Sequence, residues 1–299
     1  MGSHEAVASL LELRFEQSAG MKGASPRSRQ LRCLEDVVLA PDRVRELFNE
    51  YFSNYHAFLP LLDPDKSPER YFELSELLFW TIITIAARRF RADDNLLHKL
   101  TEPYTRLVWS TVSKVPQNYH HVKALCLLCT WPLPCSSTAR DPTFQFSGVM
   151  MKVAMQIGLH RPSHPEDFSR SRVQLREEDV RDRLTTWATC NIIAQNVSTG
   201  YGQPSETLYD ATLSSESLGR IPAELRVRLE LENFTDKVTK LLYSNKGGPS
   251  FEESDLWYAS GIVNILDQDL TNLARKLLVT DGMSFGILTA ILVCGPDVC

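Results

Sequence analysis

Five residues between positions 120 and 135 are of the types that bind zinc, namely His120, His121, Cys126, Cys129 and Cys135. A structural zinc ion takes four nitrogen or sulfur ligands, and the spacing of Cys126 and Cys129 suits two of them. That pair, however, lies inside the strongly apolar run 122–131, whereas zinc-binding pairs usually occupy turns. Because a free cysteine packs as a small hydrophobic residue, we predict two core cysteines here and no metal site.

Asp93 and Asp94 are the second candidate, because isoprenoid enzymes use aspartates to hold magnesium against a diphosphate. That chemistry needs several carboxylates on one helix face. Here only an adjacent pair stands at a predicted helix N-terminus, where an acidic residue caps the first turn. The 299 residues contain no Gly-rich phosphate loop, no Gly-x-Ser-x-Gly and no His-Glu-x-x-His. The sequence therefore predicts no catalytic, cofactor-binding or metal residues, and motifs give no support to a helical enzyme.

The segment 144–162 carries the third candidate, His160, just after a predicted helix. Phe146, Val149, Met150, Val153, Ala154 and Ile157 follow the spacing of one buried helix face. Gly158 stands where a left-handed C-cap belongs, and Pro162 prevents the helix from continuing. His160 could therefore cap the last carbonyls or contact a ligand, and capping is the better supported of the two roles.

Composition is that of an ordinary globular protein, with 43% apolar residues, 23% charged residues and a net charge of -5. The chain as a whole is therefore not a nucleic-acid binder by electrostatics, since neutralising phosphates requires a basic surface. The local basic cluster 22–32 is interpreted as a solvated linker, with targeting or phosphate binding as the alternative.

The apolar runs 77–87 and 283–294 are shorter than the roughly twenty residues of a membrane helix. Seven unevenly spread cysteines are typical of a reducing compartment.

From Pro41 onward the pattern predicts helices almost throughout. Pro41 suits a first-turn position, and Ser67 with Pro68 predicts the start of a second helix. The run 77–87 is apolar on all sides, so we expect a central helix there. Further helices are predicted near 94–114, 118–131, 143–159, 177–198, 223–243 and 251–279. No strand alternation or internal repeat stands out. We therefore predict an all-α, multi-helix fold.

Four segments, in this order, resemble the fungal-specific transcription factor domain, or middle homology region, of binuclear zinc-cluster regulators. They are 47–63, with an entry helix and its His…Pro…Asp turn; 77–89, an apolar helix ending in Ala-Ala-Arg; 148–162, with Gly-Leu-His-Arg; and 181–204, with a basic helix start and a Gly-Gln-Pro turn. The last departs from the family pattern, because Thr185 and Thr186 interrupt its Arg and aromatic residues. The resemblance extends over residues 40–280.

This resemblance implies a regulatory domain of a nuclear factor, with a cytoplasmic pool, that controls RNA polymerase II transcription of a metabolic or secondary-metabolite pathway. The family's DNA-binding module holds two zinc ions with six clustered cysteines. Here only Cys33 precedes Cys126, so these residues cannot form that cluster. We therefore expect no cofactor in this chain and no sequence-specific DNA binding from it alone. The alternative function is a stand-alone helical interaction module, or a dominant-negative partner of a full-length regulator.

The implied organisation has three parts. Residues 1–38 are a linker-like segment, residues 39–280 are the regulatory domain, and residues 281–299 are an atypical tail that leaves the domain incomplete at its C-terminus. The implied partners are a second copy of the chain, other transcription regulators and a small-molecule effector, but no membrane. We expect any effector pocket where helix ends meet loops, near His160, Arg161, Trp187 and Tyr201.

Overall fold

The structure is a computed structural model that describes residues 31–168, 175–209, 211–213, 219–244 and 253–280. The chain divides into two compact units. The first comprises Met1–Leu128 with Leu133–Ser136, and the second comprises Cys129–Pro132 with Ser137–Cys299. The predictions for residues 1–30 and for the tail 281–299 lie outside the described residues.

The first unit starts with a β-hairpin and continues with helices. Its elements are β1 (Arg32–Leu34), β2 (Val37–Leu39), α1 (Pro41–Asn54), α2 (Pro68–Leu74), α3 (Glu76–Ala86), α4 (Leu96–Val112) and most of α5 (Tyr119–Thr130). The second unit contains α6 (Thr143–Gln156), α7 (Glu177–Gly200), α8 (Ala223–Ser244) and α9 (Glu253–Thr280). Short 3₁₀ turns occupy His56–Phe58, Ala87–Arg89, Thr138–Arg140, Pro165–Phe168 and Ala211–Leu213.

The all-α prediction is confirmed, and the first two helices start with the predicted chemistry. Pro41 and Pro68 occupy the first turns of their helices, and the Ser67 hydroxyl accepts a hydrogen bond from the Arg70 N–H at 3.3 Å. Ser75 caps α3 in the same way, accepting from the Leu78 N–H at 3.1 Å. The N-cap predicted at Asp93 and Asp94 is wrong, because α4 starts after Asn95 and Asp93 instead accepts a hydrogen bond from the Asn95 N–H at 3.1 Å. No helix among the described residues is long and apolar enough to cross a membrane.

The β-hairpin is the element that the sequence pattern did not predict. Its antiparallel strands have only three residues each, which is too short for alternation to emerge. Its turn is formed by Glu35 and Asp36 without glycine, although Glu35 has a φ of 49°. Residues 32–38 of the linker-like segment therefore belong to a folded element.

Helix α3 is the centre of the first unit, as its all-round apolar character predicted. Every residue from Leu77 to Ala86 is buried, and α1, α2 and α4 all pack against it. Aromatic rings make much of this contact, with the centroids of Phe79 and Phe48 5.5 Å apart. The buried Thr81 hydroxyl is paired with the Tyr104 hydroxyl at 2.8 Å. The hydroxyl of Thr81 is thereby satisfied without disturbing the apolar packing, whereas Nε1 of Trp80 and Oγ1 of Thr84 are buried without a partner among the described residues.

The turn that follows α1 is fixed by two buried side chains from other helices. The Tyr71 hydroxyl donates to the Asp63 carbonyl at 2.7 Å and accepts from the Asp63 N–H at 2.9 Å. Lys123, which is only 5% exposed, donates to the Leu61 carbonyl at 3.1 Å. These bonds satisfy backbone groups that the prolines in 58–64 exclude from regular structure.

Helix α7 is the centre of the second unit. Residues from Leu184 to Val197 along it are buried except Asn196, and α6 and α8 pack against it. Helix α9 contacts α8, where Leu273 packs against Val227 and Lys276 forms an ion pair with Glu230 at 2.8 Å. The long, buried helix α7 is therefore the central helix of the second unit, as α3 is the central helix of the first.

We predict that Tyr71→Phe lowers the free energy of unfolding by about 1–3 kcal/mol, because the Asp63 N–H and C=O both lose their partner. Urea titration followed by circular dichroism measures this. The control is Asp63→Asn, which leaves the backbone bonds in place, keeps an oxygen for the Asp65 N–H and removes the charge that interacts with Lys66 and Lys123. That control should cost less than about 1 kcal/mol. Equal losses in both variants would contradict the assignment.

Candidate effector site

The turn at the end of α6 has the left-handed cap that the sequence predicted. Gly158 has a φ of +73°, its N–H donates to the Met155 carbonyl at 3.0 Å, and the Leu159 N–H donates to the Ala154 carbonyl at 2.9 Å. This pair of bonds is the Schellman pattern. A Cβ atom at Gly158 would lie 2.2 Å from Cδ2 of Phe168, so a side chain there would clash as well as strain the backbone.

Two other side chains complete the cap. The Arg183 guanidinium, from α7, donates through Nη2 to the Ile157 carbonyl at 2.9 Å. The Thr212 hydroxyl donates to the His160 carbonyl at 2.9 Å. A cation at the C-terminal end of a helix also complements the helix dipole. The capping role predicted for His160 is therefore wrong, because Arg183 and Thr212 hold these carbonyls while the His160 ring lies elsewhere.

The His160 ring lies among aromatic rings, in a cluster that we call the aromatic corner (His160, Phe168 and Trp187). Its centroid is 5.1 Å from that of Phe168 and 6.1 Å from that of Trp187. Trp187 is fully buried. Within the described residues, neither Nδ1 of His160 nor Nε1 of Trp187 has a hydrogen-bond partner, although both atoms are buried. Buried polar atoms are usually satisfied, so this corner favours a bound water or a polar ligand group.

The other two predicted pocket residues do not enter the aromatic corner. Arg161 is exposed and forms an ion pair with Asp167 at 2.6 Å. Tyr201 stands fourteen residues beyond Trp187 along α7, which is about 21 Å of helix. Its hydroxyl donates to Oδ2 of Asp141 at 2.8 Å, and its ring lies 5.4 Å from that of Phe144. The structure therefore brings His160 and Trp187 together, leaves Arg161 in an exposed ion pair and separates Tyr201 from them.

A second polar cluster on α7 did not appear among the predicted site residues. We call it the polar seam; its residues are Asn191 and Gln195 on α7, Thr207 and Tyr209 after α7, and Glu232, Asp236 and Thr239 on α8. Asn191 accepts from the Leu208 N–H at 2.7 Å, and Thr207 donates to Asp236 at 3.0 Å. The fully buried Gln195 donates to Thr239 at 3.5 Å, but its Oε1 has no partner among the described residues.

Burial shifts the acid–base properties of the polar seam. It raises the pKa of Glu232 to about 7, an effect that Arg228 and a hydrogen bond from Asn196 only partly offset. Burial also raises the pKa of Tyr209, and the nearby carboxyl groups of Glu232 and Asp236 raise it further. The seam is therefore an acidic, poorly hydrated environment that changes charge near neutral pH.

The sequence contained a signal for this seam. Asn191 and Gln195 are four residues apart and interrupt an otherwise apolar stretch, so they share a helix face with Trp187. Glu232, Asp236 and Thr239 repeat the same spacing on α8. What the sequence did not supply was the pairing of these two faces, which depends on tertiary structure.

Of the five candidate zinc ligands, the two cysteines on the apolar helix are core residues, whereas Cys135 is exposed and His120 and His121 are half-buried. Cys126 and Cys129 lie on α5 with 0% and 5% exposure, which confirms their interpretation as packing residues. In the part of the chain that the structure describes, no three His, Cys, Asp or Glu side chains come close enough to share a metal ion.

Comparison with known proteins identifies a family for this arrangement. The model of the fungal specific transcription factor domain matches residues 48–241. The regulatory protein LEU3 of Saccharomyces cerevisiae is 29% identical over 278 residues, which cover 83% of this chain and 30% of LEU3. The transcriptional regulatory protein SEF1 of Candida albicans is 28% identical over 266 residues, covering 83% of this chain and 27% of SEF1. The chain thus spans less than a third of the length of these relatives. No solved structure matches it.

We predict that Gly158→Ala lowers the free energy of unfolding by about 1–3 kcal/mol, because alanine must adopt a positive φ and displace Phe168. Gly148→Ala is the matched control, since it lies within α6 and its Cβ would meet nothing within 4 Å. That control should stabilise the protein by about 0.5–1 kcal/mol. Thermal and urea unfolding of both variants measure the difference. An unchanged free energy of unfolding in Gly158→Ala would contradict the turn geometry.

We predict a pH-dependent stability that originates at Glu232. Its carboxyl titrates near 4.5 when unfolded and near 7 when folded, so the folded protein binds the extra proton between these values. The stabilisation is fully present below pH 4.5 and is lost as the pH rises through 7, at up to about 1.4 kcal/mol per pH unit. Arg228 and Asn196 act directly on this carboxyl, and Tyr209, which lies near both Glu232 and Asp236, faces it as well.

Urea titrations between pH 4.5 and 8 test this dependence. Glu232→Gln removes the titrating group and should flatten the dependence of unfolding free energy on pH. Glu224→Gln, at an exposed position on the same helix, should leave it as in the original protein. Identical profiles for all three proteins would contradict the assignment to Glu232.

Proposed function

Because the chain belongs to the fungal specific transcription factor domain family, we propose that it is the regulatory, non-DNA-contacting domain of a nuclear transcription factor. Such a factor would control RNA polymerase II transcription of a metabolic or secondary-metabolite pathway. The family and the relatives are transcription regulators of the zinc-cluster type, so the chain is not an enzyme. The observation that carries the proposal is the match over residues 48–241, which takes in residues of both compact units.

The charge of the chain supports a role away from DNA. A duplex-binding surface must neutralise phosphates, whereas this chain has a net charge of -5. A zinc-cluster module also needs six closely spaced cysteines. The cysteines of this chain do not fit such a cluster, because Cys33 is followed by the next cysteine only at position 126. No step of the proposed function therefore passes through zinc or through a base contact made by these residues.

The proposed regulation is effector binding at the aromatic corner. An effector changes activity only if it binds one conformational state more tightly than another. Two ring nitrogens, on His160 and Trp187, have no hydrogen-bond partner among the described residues and offer polar contacts within an apolar wall. Arg161, the next residue along the chain after His160, adds a cation that reaches solvent, while Tyr201 belongs to a separate contact with Asp141. The proposed partners are a small molecule at this corner and, for assembly, a second copy or another regulator.

A transcription assay tests the regulatory role. The 299-residue chain is fused to a heterologous DNA-binding module in a fungal host with a matching reporter gene. We expect reporter output to differ from that of the module alone and to change with nutrient conditions. His160→Ala should remove the nutrient response, because that ring forms the wall of the aromatic corner. The control is His164→Ala, an exposed histidine four residues further on.

Three results would overturn parts of this proposal. Equal output with and without the chain would exclude a regulatory domain. An unchanged response in His160→Ala, with unfolding free energy also unchanged, would exclude the aromatic corner as the effector site. Sequence-preferring duplex binding by the isolated chain, in a mobility-shift assay at about 150 mM salt, would exclude a domain that does not contact DNA.

A further inference from the structure

A groove in the first unit lies between strand β2 and helix α4, apart from every residue of the aromatic corner. Its volume is about 650 Å³, within the range of ligand-binding clefts. Residues 36–39 form one wall, and α4 forms the other with Leu96, Lys99, Glu102, Pro103 and Arg106. No residue of β1 lines it, so among the described residues the groove follows the outer side of the hairpin.

The hairpin register determines which backbone groups β2 presents at that side. The two-residue turn pairs Leu34 with Val37, and this pair exchanges both of its hydrogen bonds. The next pair, Cys33 and Val38, is then the non-hydrogen-bonded type. The N–H and C=O of Val38 consequently point away from β1. Val38 lines the groove and is 41% exposed, so the groove wall contains one donor and one acceptor that have no partner among the described residues.

The helical wall contributes a carbonyl without its usual helical donor, and an apolar floor. Pro103 lies inside α4 and has no N–H, so the Lys99 carbonyl lacks its helical hydrogen bond. Both residues line the groove. Leu96 and Pro103 are buried and form an apolar surface beneath the rim. A groove with a strand edge on one side and a helix on the other is the arrangement in which extended peptides add as an extra strand.

The charges around the groove are already matched with one another. Lys99 pairs with Asp93 at 3.1 Å, and Arg106 binds both Glu35 and Glu102. No strongly charged occupant is therefore selected by electrostatics. The N–H and C=O of Val38 are complementary to the main chain of an extended peptide. The peptide residues on either side of the one that pairs with Val38 would face the apolar floor, so their side chains should be apolar.

We propose that this groove binds an extended, apolar and largely uncharged peptide segment of a partner protein, which adds as a third strand beside β2. The central peptide residue exchanges two main-chain hydrogen bonds with Val38. Its neighbours point inward against Leu96 and Pro103. The partner would thus be recognised by β-addition, and the groove would be a protein-interaction surface separate from any effector site.

A displayed library of random 12-residue peptides, screened against the 299-residue protein, tests this proposal. Selected peptides are synthesised and titrated by fluorescence anisotropy. Val38→Pro removes the outward N–H without removing a hydrogen bond of the hairpin, because proline is tolerated at an edge strand. It should weaken binding at least fivefold, the effect of about one lost hydrogen bond. Val38→Thr, which keeps the N–H and the β-branched shape, should bind as the original chain does.

Amide hydrogen exchange provides a readout that does not depend on the variants folding. The Val38 amide should exchange rapidly in the free protein and become protected when a selected peptide is added. Failure to select any peptide, equal affinity in all three proteins, or an unprotected Val38 amide in the complex would overturn the proposal. Protection already present in the free protein, or dimerisation that Val38→Pro abolishes, would also overturn it, because another occupant would then fill the groove.

Discussion

The requirement that buried polar groups be hydrogen-bonded determines how the second unit is assembled around α7. This helix buries six polar side chains: Thr185, Thr186, Thr189, Asn191, Gln195 and Ser198. The three threonines donate to carbonyls of their own helix, four residues earlier, at 2.8 to 2.9 Å. These hydroxyls therefore need no hydrogen-bond partner from the neighbouring helices. The amides of Asn191 and Gln195 each have a carbonyl oxygen that the helix cannot satisfy, because every helical N–H there is already used. The Asn191 oxygen accepts a hydrogen bond from the Leu208 N–H, and this bond fixes the path of the segment that follows α7.

The first unit is held together mainly by apolar packing. Its central helix α3 buries apolar side chains on all sides, and the hydroxyl of Thr81 is satisfied by the Leu77 carbonyl and by Tyr104. Close packing of Phe48, Phe79 and Trp80 then specifies how α1 and α3 meet. Apolar packing of this kind is insensitive to pH and resists small displacements. The polar seam of the second unit is sensitive to pH and to small displacements, because it combines a carboxyl that titrates near neutral pH with a buried amide oxygen that has no partner among the described residues.

Local chemistry explains what could be predicted from the sequence. Helix starts at Pro41 and Ser67 and the stop at Gly158 each depend on a few neighbouring residues, so they were predictable. The hairpin at 32–39 was not, because three-residue strands show no usable period and its turn lacks glycine. The separation of Tyr201 from Trp187 follows from helix geometry and could have been calculated from the predicted helix 177–198. Two contacts could not be predicted from the sequence: the hydrogen bond from Arg183 to the Ile157 carbonyl and the pairing of Asn196 with Glu232. Each of them joins residues from elements that are distant in the chain.

The aromatic corner and the polar seam are linked by α7 itself. The Asn191 side chain donates to the Trp187 carbonyl at 3.0 Å while its oxygen holds the Leu208 N–H, so one residue contacts both sites. A ligand that shifted the α7 backbone at Trp187 would therefore alter the position of the Asn191 amide, and with it the segment that carries Thr207 and Tyr209. Thr207 in turn donates to Asp236, one helical turn from Glu232. Coupling between two sites requires an element with two arrangements, and not merely a chain of contacts. That element would be α7, because it carries both Trp187 and Asn196, and Asn196 donates a hydrogen bond to the Glu232 carboxyl on α8.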